Sequence, residues 1–150
     1  MHLIRRFFGF LTASPLDPAE QREVRGILRP DLAREFFLQR PEDQRHALDV
    51  LRAVGGHDDL AEAALMHDIG KTASDLGAIG RSLATIWSAL GFTPRGRWLT
   101  YVDHGEIGAT LLEQLGAGDL TVAFARFHPG PPPPGVDTRS WHLLESADNV

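Results

Sequence analysis

The chain is punctuated for helices. Across most of its length apolar residues recur every three or four positions, with prolines and glycines where such segments would start and stop. Asp17-Pro18-Ala19-Glu20 reads as a helix start. Asp17 can accept from the free amides, Pro18 suits the first helical position, and Glu20 adds charge that the helix dipole favours. This helix is predicted to about residue 28, where Arg29-Pro30 interrupts it, and a second over 31–39 turns Leu32, Phe36 and Phe37 inward. Pro41 opens the next, in which Ala47, Leu48, Leu51 and Val54 keep the helical period until Gly55-Gly56 close it. Asp58 or Asp59 starts a helix through Leu60, Ala64, Met66 and His67 toward Gly70, and its small residues Ala61, Ala63 and Ala64 allow a neighbouring helix to come close. Residues 74–80 read as a loop, 82–90 as a short helix, and Pro94 begins another that carries Trp98, Leu99 and Tyr101. Helices over 105–115 and 119–127, a stiff loop over 129–135 and a last helix from Thr138 or Ser140 complete the chain. The alternation of valine and isoleucine that strands require is absent. The expectation is an all-α, compact bundle of roughly seven to nine helices. It forms one domain over 1–150, with 1–40 a helical extension packed on a core of 41–150.

Composition narrows the chemistry. An apolar fraction of 43% and a charged fraction of 23% are ordinary for a soluble globular chain. A net charge of -5 argues against a partner recognised through its phosphate backbone, so no nucleic-acid duplex is expected. With no cysteine there is no disulfide, thiolate metal site or thiol nucleophile. A transition-metal site must then use histidine and carboxylate, which suit iron, manganese, zinc, cobalt or nickel. Arg5-Arg6 before Phe7-Phe8-Gly9-Phe10-Leu11 resembles a signal peptide superficially, but the apolar run falls short of the roughly 7–15 residues needed. No stretch reaches the roughly 20 apolar residues of a membrane span. The expectation is a cytoplasmic chain without stable membrane insertion.

The chemically informative stretch is His67-Asp68-Ile69-Gly70-Lys71. Adjacent imidazole and carboxylate can bind one metal ion or straddle two, and a lysine three residues on can meet a phosphate held there. Asp68 follows the apolar surface of Ala64 and Leu65, where a carboxylate is costly to bury unless paired or bound to a metal. The helical context of His46 leaves its direction open. His104 opens a helix, with Asp103 as a natural cap, and His128 ends one directly before Pro129, where an imidazole suits the dipole. Asp148 lies near a helix C-terminus, a poor place for negative charge, which favours a compensating cation. His57 reads as an exposed turn residue, His142 as a packed or solvent-facing one, and His2 lies near the terminus. Gly70-Lys71-Thr72 is not a phosphate-binding loop, because Leu65 stands where a further glycine is required. The four prolines of 131–134 contain a P-x-x-P pattern but read more simply as a stiff wall beside His128.

The pattern His46, His67-Asp68, His104, His128, Asp148 resembles the HD-domain superfamily of metal-dependent phosphohydrolases. The stretch Ala63-Ala64-Leu65-Met66-His67-Asp68-Ile69-Gly70-Lys71 matches that family's central motif, and His104-Gly105-Glu106-Ile107-Gly108-Ala109 and Ser146-Ala147-Asp148-Asn149 are similar to its later ones. The likeness covers about 42–149. It implies that His46, His67, Asp68 and Asp148 hold one metal ion, that His104 and His128 add a second, and that Asp68 bridges them. The implied ions are divalent, iron or manganese foremost, with magnesium, zinc, cobalt or nickel as alternatives. The implied reaction is attack by a metal-activated water on a small phosphate substrate of nucleotide type, with Lys71 on a non-bridging oxygen.

The substrate is less sharply drawn. The branch of the family that cleaves cyclic dinucleotides carries a Gly-Tyr-Pro signature that is missing here, where Phe127-His128-Pro129-Gly130 stands instead. The segments at His104 and His128 are also similar to the branch that hydrolyses symmetrical dinucleoside tetraphosphates. Two other functions compete: a non-catalytic domain binding a nucleotide or a partner, and a dinuclear-iron oxygenase on the same scaffold. Lys71 counts against the oxygenase, since oxygen activation needs no phosphate contact.

Overall fold

The structure, a computed structural model, describes residues 14–74 and 104–149. Of the loop expected over 74–80, Ser74 ends a 3-10 turn and the rest lies outside these residues, as do the helices expected over 82–90 and from Pro94, Asp103 and His2. The described residues form seven α-helices: α1 (Pro18–Ile27), α2 (Pro30–Leu38), α3 (Pro41–Val54), α4 (Ala61–Met66), α5 (His104–Gln114), α6 (Asp119–Phe127) and α7 (Thr138–Asp148). Short 3-10 turns at Asp58–Leu60 and Ile69–Ser74 flank α4, and the described residues contain no strand. The all-α expectation holds. Among the described residues no helix is long and apolar enough to cross a membrane.

Three of the starts are made by proline in the first turn, at Pro18, Pro30 and Pro41. Pro30 therefore opens α2 where an interruption is expected from the sequence. Its missing amide is one the first turn leaves unbonded in any case. Gly55, at φ 47°, ends α3 in the left-handed conformation that glycine adopts without strain.

The central element is α4. Five of its six residues, Ala61, Ala63, Ala64, Leu65 and Met66, are buried, as a helix packed on all sides requires. Leu65 and Met66 join Leu16, Val24, Leu28, Leu32, Phe36, Leu48, Ile69 and Leu112 in one apolar cluster. Ala63 and Ala64 join Val50, Val54, Leu60, Phe124, Trp141, Leu144 and Ala147 in the other. Residues before and after position 40 share the first cluster, so the N-terminal helices are part of one core. The polar residue of α4, Glu62, accepts from the Gly118 amide (2.8 Å) and the Thr121 hydroxyl (2.9 Å). It caps α6 from outside, because Gly118 has no side chain to do so.

The N-terminal helices are tied to the helix that carries His46. Asp17 accepts from the Ala19 and Glu20 amides, and Glu20 returns a bond to the Asp17 amide, a complete capping box. The same Glu20 carboxylate accepts both arms of the Arg45 guanidinium, at 2.6 and 2.8 Å. The Arg45 bond, with the Asp17 amide beside it, lowers the Glu20 pKa from 4.5 to about 2. A carboxyl held down in the folded state stabilises the fold above its unfolded pKa and loses that effect as pH falls through its folded one. Glu20→Gln is therefore expected to flatten the loss of stability between about pH 4.5 and about pH 2, measured by chemical denaturation at each pH. Parallel acid limbs for the two proteins would show that Glu20 does not carry this docking.

Candidate metal centre

The helix α4 stops at Met66, one residue short of His67, and the chain tightens into the 3-10 turn that begins at Ile69. The His67 Nδ1 reaches back to the Ala64 carbonyl oxygen at 3.0 Å. That oxygen only accepts, so Nδ1 carries a proton and the ring, when neutral, presents its Nε2 lone pair to the site. His67 Nε2 is buried and makes no hydrogen bond of good geometry.

Two carboxylates face that atom, and through them the other candidate ligands read from the sequence are linked to it. Asp148, the last residue of α7, places Oδ1 at 2.8 Å from His46 Nε2 and 3.2 Å from His67 Nε2. Its Oδ2 lies 2.8 Å from His128 Nε2, at the C-cap of α6. Asp68 turns Oδ2 toward His67 Nε2 at 3.5 Å and Oδ1 toward His104 Nε2 at 3.6 Å. Lys71 donates from Nζ to Asp68 Oδ2. Five helical elements or their ends thus meet at one point.

Two of the six positions, His67 and His128, rest against an aromatic side chain. Phe124 lies against His128 with centroids 4.6 Å apart, against His67 at 5.9 Å and edge-on to Trp141 at 5.0 Å. Sequence reasoning missed Phe124. The available signal was its spacing of four from His128, which sets both on one helix face.

Electrostatics follow from burial against crowding. Burial alone would raise the Asp68 carboxyl, but Lys71, then His67 and His104, hold it well below the ordinary carboxylate range. Asp148 is likewise raised by burial and lowered more strongly by hydrogen bonds from His128, His46 and His67. For His67 burial lowers the imidazole pKa, and Asp68 and Asp148 together raise it above its ordinary value. A neutral His67 would face two carboxylates with a lone pair. A proton or a cation has to sit between them.

A metal ion fits this donor set. His46, His67 and Asp68 each offer one ligand atom, and these atoms lie within 4.8 Å of one another, so the group could hold an ion. Imidazole nitrogens with carboxylate oxygens are the donors that first-row divalent metals take. The Nδ1 bond to Ala64 is the outer contact that commonly orients a histidine ligand.

The other histidines stand apart. His57, expected to be exposed, is half-buried at the turn before α4, and His142 is exposed and paired with Glu145 at 3.2 Å. Arg126 points away from the ligands, as its spacing of two from His128 predicts. It binds Glu106 at 2.9 Å and Glu113 at 3.0 Å on α5.

Glycine backbone sets the distances between the ligand-bearing elements. A Cβ on Gly70 would lie 1.8 Å from the His104 carbonyl oxygen and 2.7 Å from the Gly108 amide nitrogen. The turn after Asp68 is therefore pressed directly on α5 at the residue that carries His104. A Cβ on Gly105 would lie 3.0 Å from the carbonyl oxygens of both Ala125 and Arg126, so α5 is also close to α6, though less tightly.

Comparison with models of known protein families, with curated proteins and with solved structures finds no match in any of the three.

Proposed function

We propose that the chain is an HD-type metal-dependent phosphohydrolase that cleaves a phosphoester or phosphoanhydride of a small, nucleotide-type substrate. The observation that carries this reading is the convergence of His46, His67, Asp68, His104, His128 and Asp148 around two carboxylates, with the Lys71 ammonium at Asp68. Asp68 faces His67 with one oxygen and His104 with the other, so it could serve two ions if both bind. His46, His67, Asp68 and Asp148 would hold one ion, and Asp68, His104 and His128 the other, with iron or manganese the preferred metals. When bound, the ions supply a water of lowered pKa and neutralise charge on phosphate oxygens.

The chain's own residues do the rest. His67 is fixed in one tautomer by Ala64, so its nitrogen is aimed before any ion arrives. Asp68 and Asp148 are held ionised at neutral pH by the cations and imidazoles around them, and so are ready to ligate. Lys71 supplies a point charge that can move from Asp68 to a phosphate oxygen as charge builds there.

Two observations weigh on the alternatives. Lys71 beside Asp68 has a use in phosphate chemistry and none in oxygen activation. All six donor residues are present, which disfavours a domain that only binds. Lys71→Ala is expected to keep the metal and lower kcat about 10²–10³-fold, the usual effect of removing one preorganised donor from a developing anion. The check is metal content beside initial rates on cyclic dinucleotides, dinucleoside polyphosphates and mononucleotides. An unchanged rate would remove Lys71 from the reaction, and protein that binds metal but cleaves nothing in the panel would favour the binding domain.

A further inference from the structure

The helices α5 and α6 are joined by a short connection, 115–118, and lie against each other. His104 is the first residue of α5 and His128 the C-cap of α6, so the two histidines sit at the same end of this hairpin. One residue beyond His104 and two before His128, the helices are locked. Gly105 lies close to the carbonyl oxygens of Ala125 and Arg126, where a Cβ would stand 3.0 Å from both, a tight contact. From the same turn of α6 the Arg126 guanidinium spans to α5, Nε to Glu106 at 2.9 Å and Nη1 to Glu113 at 3.0 Å. Glu106 and Glu113 are seven apart, two turns along one face, so one cation grips α5 at two heights. The Arg126 side chain is 24% exposed and its partners Glu106 and Glu113 are 65% and 51% exposed, so the pairs are solvent-screened and the clamp acts through its two-point geometry more than through charge energy.

From this geometry we infer that Arg126 is a positioning residue for the half-site formed by His104 and His128. It acts by holding α5 in register with α6 and makes no contact with substrate. The inference rests on the two-ion reading above. His46 and Asp148 belong to α3 and α7 and His67 follows α4, and the clamp bonds to none of these elements, so the effect should be largest at His104 and His128 and reach His46 and His67 only through Asp148, which His128 also contacts. The clamp contacts no ligand atom. Its influence passes through the backbone of the two helices, as outer contacts of metal sites commonly do.

The test compares the full chain with Arg126→Ala, Arg126→Lys and the charge-exchanged pair Arg126→Glu with Glu106→Arg. Ring signals of the histidines are followed by long-range ¹H–¹⁵N spectra without metal, and Mn²⁺ binding is then counted by electron paramagnetic resonance. In Arg126→Ala the ring signals of His104 and His128 should shift or broaden most, with smaller changes at His46 and His67, which share Asp148 with His128. The weaker Mn²⁺ should be lost by about tenfold in affinity, and the tighter one should be retained. The exchanged pair should recover both readouts, and Arg126→Lys, which lacks the planar fork, only part of them.

Unmoved signals for His104 and His128, or equal weakening of both ions, overturns the inference. A selective loss of rate with unmoved signals and intact Mn²⁺ binding also overturns it, by placing Arg126 on the substrate. If the unmodified chain binds a single Mn²⁺, the two-ion reading fails, and the ring signals still decide whether Arg126 positions the histidines.

Discussion

Asp68→Ala is expected to leave a helical protein that neither retains metal nor hydrolyses phosphate substrates. The carboxylate stands between His67 and His104 and receives the Lys71 ammonium, so three cationic or ligating groups lose their common partner at once. Loss of several kcal/mol of charge stabilisation lowers kcat/KM by about three orders of magnitude or more. The fold should survive, because Asp68 lies in the turn after α4 and outside both apolar clusters that hold α4 in place. Removing its charge also relieves the cost of burying an ionised group. Metal analysis by mass spectrometry, beside far-ultraviolet circular dichroism, separates these effects. A variant that keeps both metal and rate would show that the chemistry lies elsewhere. Loss of the helical spectrum would show that Asp68 is needed for folding first.

Gly70→Ala should be the most damaging single methyl in the described residues. The new Cβ would lie 1.8 Å from the His104 carbonyl oxygen, and what it meets is the backbone of α5, not a side chain that could turn aside. The turn and the helix must separate, at about 3 kcal/mol, the upper end of what overpacking costs. For a chain of this length that corresponds to a fall in Tm of roughly 6–12 °C. The same displacement carries His104 away from Asp68, so the second ion should weaken along with the fold. Gly26→Ala is the control. It makes the same exchange inside α1, where nothing lies within 4 Å of the added atom, and should be neutral or stabilise by about 0.5–1 kcal/mol. Equal melting temperatures for Gly70→Ala and the unmodified chain would refute the close backbone contact.

The helical class was legible because local chemistry decides it. Asp17 and Glu20 cap the first helix whatever lies nearby, Pro41 and Gly55 bound the third, and leucines at helical spacing need an apolar neighbour of some kind. The types of the candidate ligands were legible too, since a chain without cysteine has only imidazoles and carboxylates to offer a transition metal. Direction was not. His46 stood on its helix with no local sign of where it pointed, and the burial of α7 on α3 through Trp141 and Val50 turns Asp148 toward it.

Tertiary structure also reassigned residues whose local reading was complete. At the end of α6, His128 could have satisfied carbonyls of its own helix, yet its ring stacks on Phe124 and reaches Asp148, 20 residues on. Arg126, whose spacing of two from His128 already turns it from the ligands, is taken up by two glutamates of α5, partners that no local pattern names. The glycines show the division most directly. In sequence Gly70, Gly105 and Gly108 are small residues within helical segments, mildly unfavourable there and otherwise silent. Only the packing of three backbones at van der Waals distance gives them their role, because a missing Cβ has no effect until another chain segment occupies its place. The sequence by itself determined that this protein is helical and that it carries histidines and aspartates able to bind metal. Which of them share a centre, and at what separation, was decided by long-range packing that no local pattern encodes.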